Sequence, residues 1–311
     1  MKIGISLPQV GRQAGPDAVQ RAAVLAEARG YDSVWVLDRV LMALEPRSPY
    51  PASPDGRPPE LFRTAFDPIG CLTVAAMATT RVRVGTSVLI APLYPPVLLA
   101  RSLTTLDHVS DGRLDVGLGL GWSLDEYEAC GVEQRDLGGR LEECLDVLAA
   151  VWGPDPVAFE GPRVRIAPST VSPKPVQRSG PPVLLAAYTP AGLARVGRRA
   201  GGWNPAGLPV ELLAPMWAMV RDEAAAAGRD PDALRLVVRA NGLVTDAAVD
   251  GDRPTYVGSL EQVAADLRAT RDAGADEVVL GLVDEMSSIE EMVDTYDALT
   301  AAADLAPVAV P

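Results

Sequence analysis

The chain has a single histidine, His108, and three cysteines, Cys71, Cys130 and Cys144, in 311 residues. One imidazole excludes a multi-histidine metal centre and nearly every Ser-His or Cys-His triad. Three widely spaced cysteines make neither a disulfide framework nor a CxxC metal site, and they fit a reducing cytoplasm, where we expect the protein to work. Basic residues are scarce, 28 Lys and Arg against 41 Asp and Glu, for a net charge of −13. A surface of that sign argues against nucleic acid or an anionic membrane as partner, because both are held by clustered positive charge. No apolar run approaches the roughly 18 residues of a membrane span. The opening MKIGISLPQV is a short apolar run broken by Pro8, which does not read as a secretory signal.

What is present is a regular alternation of strand and helix patterns. Hydrophobic residues make up 48% of the chain, enough for a large core. Strand-like runs lie at Lys2–Leu7, Ser33–Leu37, Arg81–Val88, Arg113–Leu118, Val183–Ala187, Gly202–Asn204, Leu234–Val238 and Glu277–Leu282. Between them, apolar residues recur at helical spacing, as in Leu141, Cys144, Leu145 and Leu148. Asp17 with Gln20, and Ser259 with Gln262, have the spacing of capping boxes, and Gly30 suits the residue just past a helix end. Such alternation specifies a parallel α/β fold, either a closed (β/α)8 barrel or a doubly wound open sheet. The barrel is the better fit, because no glycine-rich turn follows the first strand and barrels run roughly 250 residues plus insertions. We expect one domain over 1–311, with a tail from about 304.

Two proline-rich stretches interrupt the rhythm. One, about 40–66, leaves the C-terminal end of the second strand, the face where barrel active sites sit, and has the length of a functional lid. The other, about 153–182, follows a helix and precedes the fifth strand, so it belongs nearer the opposite face or along the barrel side. His108 falls near the helix-to-strand turn before Arg113, on that N-terminal side, and reads as structural.

From Thr79 to Val132 the chain reads TTRVRVGTSVLIAPLYPPVLLARSLTTLDHVSDGRLDVGLGLGWSLDEYEACGV. With YDSVWVLD at 31–38, YPASPDGRPP at 50–59, VSPKPVQ at 171–177 and PAGLARVGRRAGGW at 190–203, this resembles the luciferase-like monooxygenase superfamily, and within it the F420-dependent oxidoreductase branch. The resemblance runs over nearly the whole chain in the right order. It implies a (β/α)8 barrel that uses coenzyme F420, or alternatively FMN.

The resemblance also implies site residues. Asp38 at the end of the second strand would bind the pyrimidine side of the deazaflavin; otherwise it caps a loop. A non-prolyl cis peptide at Ser87–Val88 would form a bulge behind the ring, with Ile90 lining it; otherwise this is a plain strand end. Leu120 and Gly121, at the close of Gly117–Trp122, would contact the cofactor, since glycines at a barrel mouth let a flat ring approach the backbone. Asp125 would bond the ribityl chain or is a solvated first-turn acid. Trp122 stacks on cofactor or substrate or packs on the lid. Tyr188, Thr189 and Ala191 would take the cofactor phosphate, with Thr189 as N-cap and Pro190 at N1. Arg195, Arg198 and Arg199 either meet an anionic tail or form a solvated face.

Many relatives carry Asp-His at the end of the second strand, with the histidine as acid-base. Here the pair is Asp38-Arg39. Arginine does not exchange protons near neutrality but can hold an anionic substrate or stabilise negative charge. A proton donor must then be Tyr50 or Glu45 on the lid, Asp125, Glu126 or water, so the candidate catalytic set is Arg39, Trp122 and Tyr50. Three functions follow: hydride transfer between F420 and a carbonyl, imine or activated alkene; a two-component FMNH2-dependent monooxygenase; or a non-catalytic flavin-binding barrel. The expected partners are a small-molecule substrate, a separate reductase that supplies reduced cofactor, and a second copy of the chain in a homodimer.

Overall fold

The computed structural model describes residues 1–53, 55–282 and 288–305. Pro54 of the expected lid and 306–311 of the expected tail lie outside them. Eight strands form the central ring: β1 (Lys2–Ser6), β2 (Ser33–Val36), β3 (Arg83–Thr86), β4 (Leu114–Gly119), β5 (Val183–Leu185), β6 (Gly202–Trp203), β7 (Arg235–Val244) and β8 (Glu277–Leu282). Each pairs in parallel with the next, and β8 returns to β1 with Lys2 opposite Glu277 and Ile5 opposite Leu280. The sheet is therefore a closed (β/α)8 barrel and not an open doubly wound sheet. Around it lie α1 (Pro16–Ala28), α2 (Pro68–Ala78), α3 (Pro96–Val109), α4 (Leu124–Ala129), α5 (Leu137–Trp152), α6 (Pro190–Arg199), α7 (Leu213–Ala226), α8 (Leu260–Asp272) and α9 (Ile289–Ala302).

Several boundaries depart from the sequence reading for identifiable reasons. β3 starts at Arg83 rather than Arg81, because the amides of Arg81 and Val82 donate to the Glu27 carboxylate at 2.6 and 2.9 Å instead of joining the sheet. β7 runs on to Val244, because β8 keeps pairing it past Val238 through Asn241 with Gly281 and Gly242 with Leu282. Asp17 does not cap α1: Gly15 holds the N-cap position and Pro16 opens the helix. The Ser259–Gln262 capping box is formed, and Gly30 takes φ +85° after the end of α1. α2 is a helix that apolar spacing does not announce. Its segment PIGCLTVAAMA is apolar almost all round, so it has no stripe, and it buries Cys71, Leu72, Ala75 and Ala76.

The barrel interior is built in layers. Trp35, fully buried on β2, fills the middle together with Leu184, Val237 and Val279. An indole fits there because each neighbouring strand carries a glycine against it, Gly85 directly opposite and Gly4 two residues before Ser6, its partner on β1. A Cβ on Gly85 would fall 2.4 Å from the ring, and one on Gly4 would fall 2.7 Å from its nitrogen. A second, larger core lies between the barrel and the helices. Packing of this density tolerates neither cavities nor added volume.

The stretch 153–182 forms an antiparallel pair, Val157–Glu160 with Arg165–Ser169, separate from the barrel sheet. It returns along the N-terminal side, where Gln177 bonds the Asp107 carboxylate at 2.8 Å and the Leu114 carbonyl at 2.8 Å. His108, in the last turn of α3, meets the Lys174 carbonyl at 2.8 Å. Among the described residues no helix is long and apolar enough to cross a membrane.

Candidate active site

The C-terminal ends of the strands gather the residues singled out from the sequence. The Ser87–Val88 peptide is cis. After it the chain pairs briefly with β4 through Leu89 and Ile90. Asp38 is buried, and its Oδ2 accepts from the Ile90 amide at 2.9 Å and the Tyr94 hydroxyl at 3.0 Å. Burial pushes this carboxyl up, partly offset by those two donors. Asp38 therefore fixes the 87–90 segment through that oxygen. Gly121 is exposed with φ +81°, and a Cβ there would lie 2.7 Å from Ile90. The Leu120 carbonyl accepts from the Tyr127 hydroxyl at 2.7 Å, so the end of β4 is pinned against the same segment.

Residues 39–53 and 55–66 cross the mouth. Arg39 is buried, and its Nη2 lies 2.5 Å from Glu126 Oε2. Its guanidinium also faces the Trp122 ring at 4.8 Å and the Phe62 ring at 5.4 Å. Arg39, expected to hold an anionic substrate or to stabilise negative charge, is paired here with Glu126. Both Glu126 oxygens are engaged, since its Oε1 accepts from the Val40 amide at 2.8 Å. Trp122 packs on the lid, with Tyr50 edge-on at 5.2 Å. Asp125 bonds Arg47 Nε at 2.7 Å and the Arg47 amide at 3.1 Å, so its carboxylate ties down the lid. A narrow cleft between lid and rim is lined by Arg39, Met42, Phe62, Trp122 and Asp125.

Tyr50 is different. It packs on Phe62 and Trp122, and burial raises its phenol, while Arg239 and Arg39 pull the other way. The hydroxyl thus lies within the field of both arginines and stays protonated at neutral pH.

At the N-terminus of α6, Thr189 Oγ1 accepts from the Gly192 amide at 3.2 Å, and Pro190 has no amide to offer. The Ala191 amide is left for solvent or ligand, and Tyr188, Thr189 and Ala191 are exposed. The Tyr188 hydroxyl bridges to the Ala206 carbonyl at 3.2 Å and amide at 3.1 Å. Arg195 and Arg199 are paired with Glu142, and Arg198 with Glu223, which favours the solvated-face reading.

One residue escaped the sequence reading. Arg239, on β7, points into the barrel and is only 6% exposed. Its Nε bonds Asn241 Oδ1 at 2.8 Å and its Nη1 the Ser87 carbonyl at 3.3 Å. Among the described residues no carboxylate pairs with it, and desolvation lowers its pKa. The sequence signal was an arginine breaking the apolar run of RLVVRANGLV.

The family model for the luciferase-like monooxygenase matches residues 1–250. The chain belongs to the luciferase-like monooxygenase family. An uncharacterized protein of Mycobacterium tuberculosis strain H37Rv is 33% identical over 210 residues, covering 67% of this chain and 74% of that one. The F420-dependent glucose-6-phosphate dehydrogenase of Kineococcus radiotolerans is 32% identical over 195 residues, covering 61% of this chain and 52% of that protein. The crystal structure of monooxygenase RslO1 from Streptomyces bottropensis superposes with a TM-score of 0.78 at 25% identity, covering 97% and 98% of the two chains. The mouth of this luciferase-like barrel has what a flavin or deazaflavin requires. Val88 and Leu120 are half-buried and Ile90 is buried, the adjacent Ser87 hydroxyl is buried without a partner, and Ala191 at the N-terminus of α6 is exposed.

Proposed function

We propose that this luciferase-like protein is an F420-dependent oxidoreductase that exchanges a hydride with a carbonyl, imine or activated alkene. The observation that carries the reading is Tyr50, a phenol on the lid packed edge-on against Phe62 and Trp122, the two rings that the Arg39 guanidinium also faces. Similarity to an F420-dependent dehydrogenase supports the choice of cofactor. Val88, Ile90, Leu120 and Gly121 would hold the ring, and Thr189 and Ala191 the phosphate. When bound, the reduced deazaflavin supplies the hydride. The chain supplies the rest. Arg39, locked to Glu126 and stacked on Trp122, holds the lid shut and keeps water out. Tyr50 gives the proton from its Oη to the substrate oxygen or nitrogen that gains negative charge. A separate reductase regenerates the reduced cofactor in this scheme.

A two-component FMNH2-dependent monooxygenase is the second reading, favoured by the likeness to RslO1 over nearly the whole chain. The same closed lid serves a flavin that must be kept from water. Ligand-free protein titrated in parallel with F420 and FMN, followed by quenching of its five tryptophans, separates the two. Tight F420 binding with weak FMN binding supports hydride transfer; the opposite preference overturns it in favour of oxygenation.

A further inference from the structure

We infer that Arg239 and Ser6 form a buried oxyanion site on the floor of the barrel mouth, made for a carboxylate or enolate oxygen. It deepens the reading of the mouth as a reaction site and does not depend on which cofactor serves there. A guanidinium that is 6% exposed and faces no carboxylate among the described residues is costly unless an anion arrives to meet it. Among the described residues, the groups that act on it electrostatically are Tyr50 and Tyr296, and neither is a carboxylate.

Both donors close in on Gly281. A Cβ there would lie 3.1 Å from Ser6 Oγ and 3.3 Å from Arg239 Nη2, and 2.9 Å from Asn241 Oδ1, the acceptor that holds Arg239 Nε, so only a glycine lets the hydroxyl and the guanidinium converge at this point. Ser6 Oγ is buried and has no hydrogen-bond partner. Nε and Nη1 are fixed by Asn241 and by the Ser87 carbonyl, which orients the plane of the guanidinium and leaves Nη2 free. Two further orphans lie in this part of the barrel: the Ser87 hydroxyl, beside the carbonyl that holds Nη1, and Asn204 Oδ1, which is an acceptor and sits a layer deeper. It is held by an Asn204 bond to the Val237 carbonyl at 2.8 Å, two residues below Arg239, and takes no part in binding the anion. A planar oxygen pair meets a guanidinium edge and a hydroxyl well, whereas a neutral amide leaves one donor unmatched.

The anionic oxygen belongs either to the organic substrate or to the reduced cofactor, and the two sources separate experimentally. Crotonate and its neutral isostere crotonamide are titrated into the ligand-free protein, followed by tryptophan fluorescence against a chloride control, and F420H2 is titrated separately. The variants are Arg239→Met, which removes the charge, and Gly281→Ala, which keeps the charge and presses a methyl between the two donors. If the substrate carries the anion, wild type prefers crotonate to crotonamide, and both variants lose that preference by at least about tenfold while F420H2 affinity holds. If the cofactor carries it, F420H2 affinity falls by a similar factor in both variants. Crotonate and F420H2 affinities unchanged in both variants overturn the proposal. So does a wild type blind to crotonate whose F420H2 affinity survives Arg239→Met. Should wild type bind neither F420 nor FMN, the cofactor reading fails by itself, and the crotonate arm alone decides the anion site.

Discussion

The two ends of the barrel interior handle charge in opposite ways. At the N-terminal end, Asp115 is fully buried and is met by Arg83 at 2.7 Å and Arg235 at 3.2 Å. Beside it, Glu277 accepts from the Ser33 hydroxyl and from Trp35 Nε1, and burial pushes its carboxyl up. Each charged group there has a partner. At the C-terminal end, one Trp35-filled layer away, no carboxylate among the described residues meets Arg239, and Ser6 and Ser87 have unpartnered hydroxyls. Matched charge at one end holds the closed ring together. Unmatched polarity at the other is destabilising by itself and makes sense where a ligand completes it.

The largest break in that contrast comes at Asp115. Asp115→Ala leaves two arginines facing each other and should lower the unfolding free energy by about 3 kcal/mol, near the bottom of the range for a broken buried pair because both arginine side chains keep some solvent. Arg239→Met should leave the urea midpoint unchanged or higher, since an apolar chain replaces an unmatched buried charge. Equal losses at both positions would erase the distinction. Tyr50→Phe sharpens it further: turnover should drop roughly 100-fold with cofactor affinity and urea midpoint intact, the signature of a lost proton donor.

Glu126→Gln tests the intermediate case, a matched pair located at the mouth. It should cost about 2 kcal/mol, the scale of a charge-assisted buried bond, and expose 39–66 to protease. Asp125→Asn, on an exposed pair with Arg47, should leave the midpoint alone and only quicken proteolysis of the lid; a shifted midpoint would show that the lid is part of the global fold.

The smallest effect is acid dependence at Glu27. Burial raises its carboxyl, but the amides of Val82, Arg81 and Thr80 outweigh that and hold it below its ordinary 4.5. A lowered folded value stabilises above the unfolded one and is lost as pH falls through the folded one. Glu27→Gln should therefore be less stable than wild type at pH 7, with the difference closing below about pH 4.5 in urea titrations. A constant difference would assign the effect to shape rather than charge.

Period-2 and period-3.6 patterning, turn glycines and proline-rich breaks sufficed to place the barrel strands and most helices, because each is a local consequence of which face is buried. They failed at α2, whose apolar surface has no stripe, and at the end of β7, where Asn241 and Gly242 join the sheet only because β8 lies alongside. The site shows the same divide. Its position at the strand ends and the Thr189 cap were legible in the chain, and the Ser87–Val88 cis bond followed from the family resemblance. Partnership was not. That Arg39 would be neutralised by Glu126, Asp125 taken by Arg47, and Arg239 left without a carboxylate depends on contacts between residues 78 or more positions apart or on opposite sides of the ring. Sequence determines which groups carry charge. Only closure of the barrel decides which charges find one another, because the energy of a buried ion depends on its neighbours and not on its own identity.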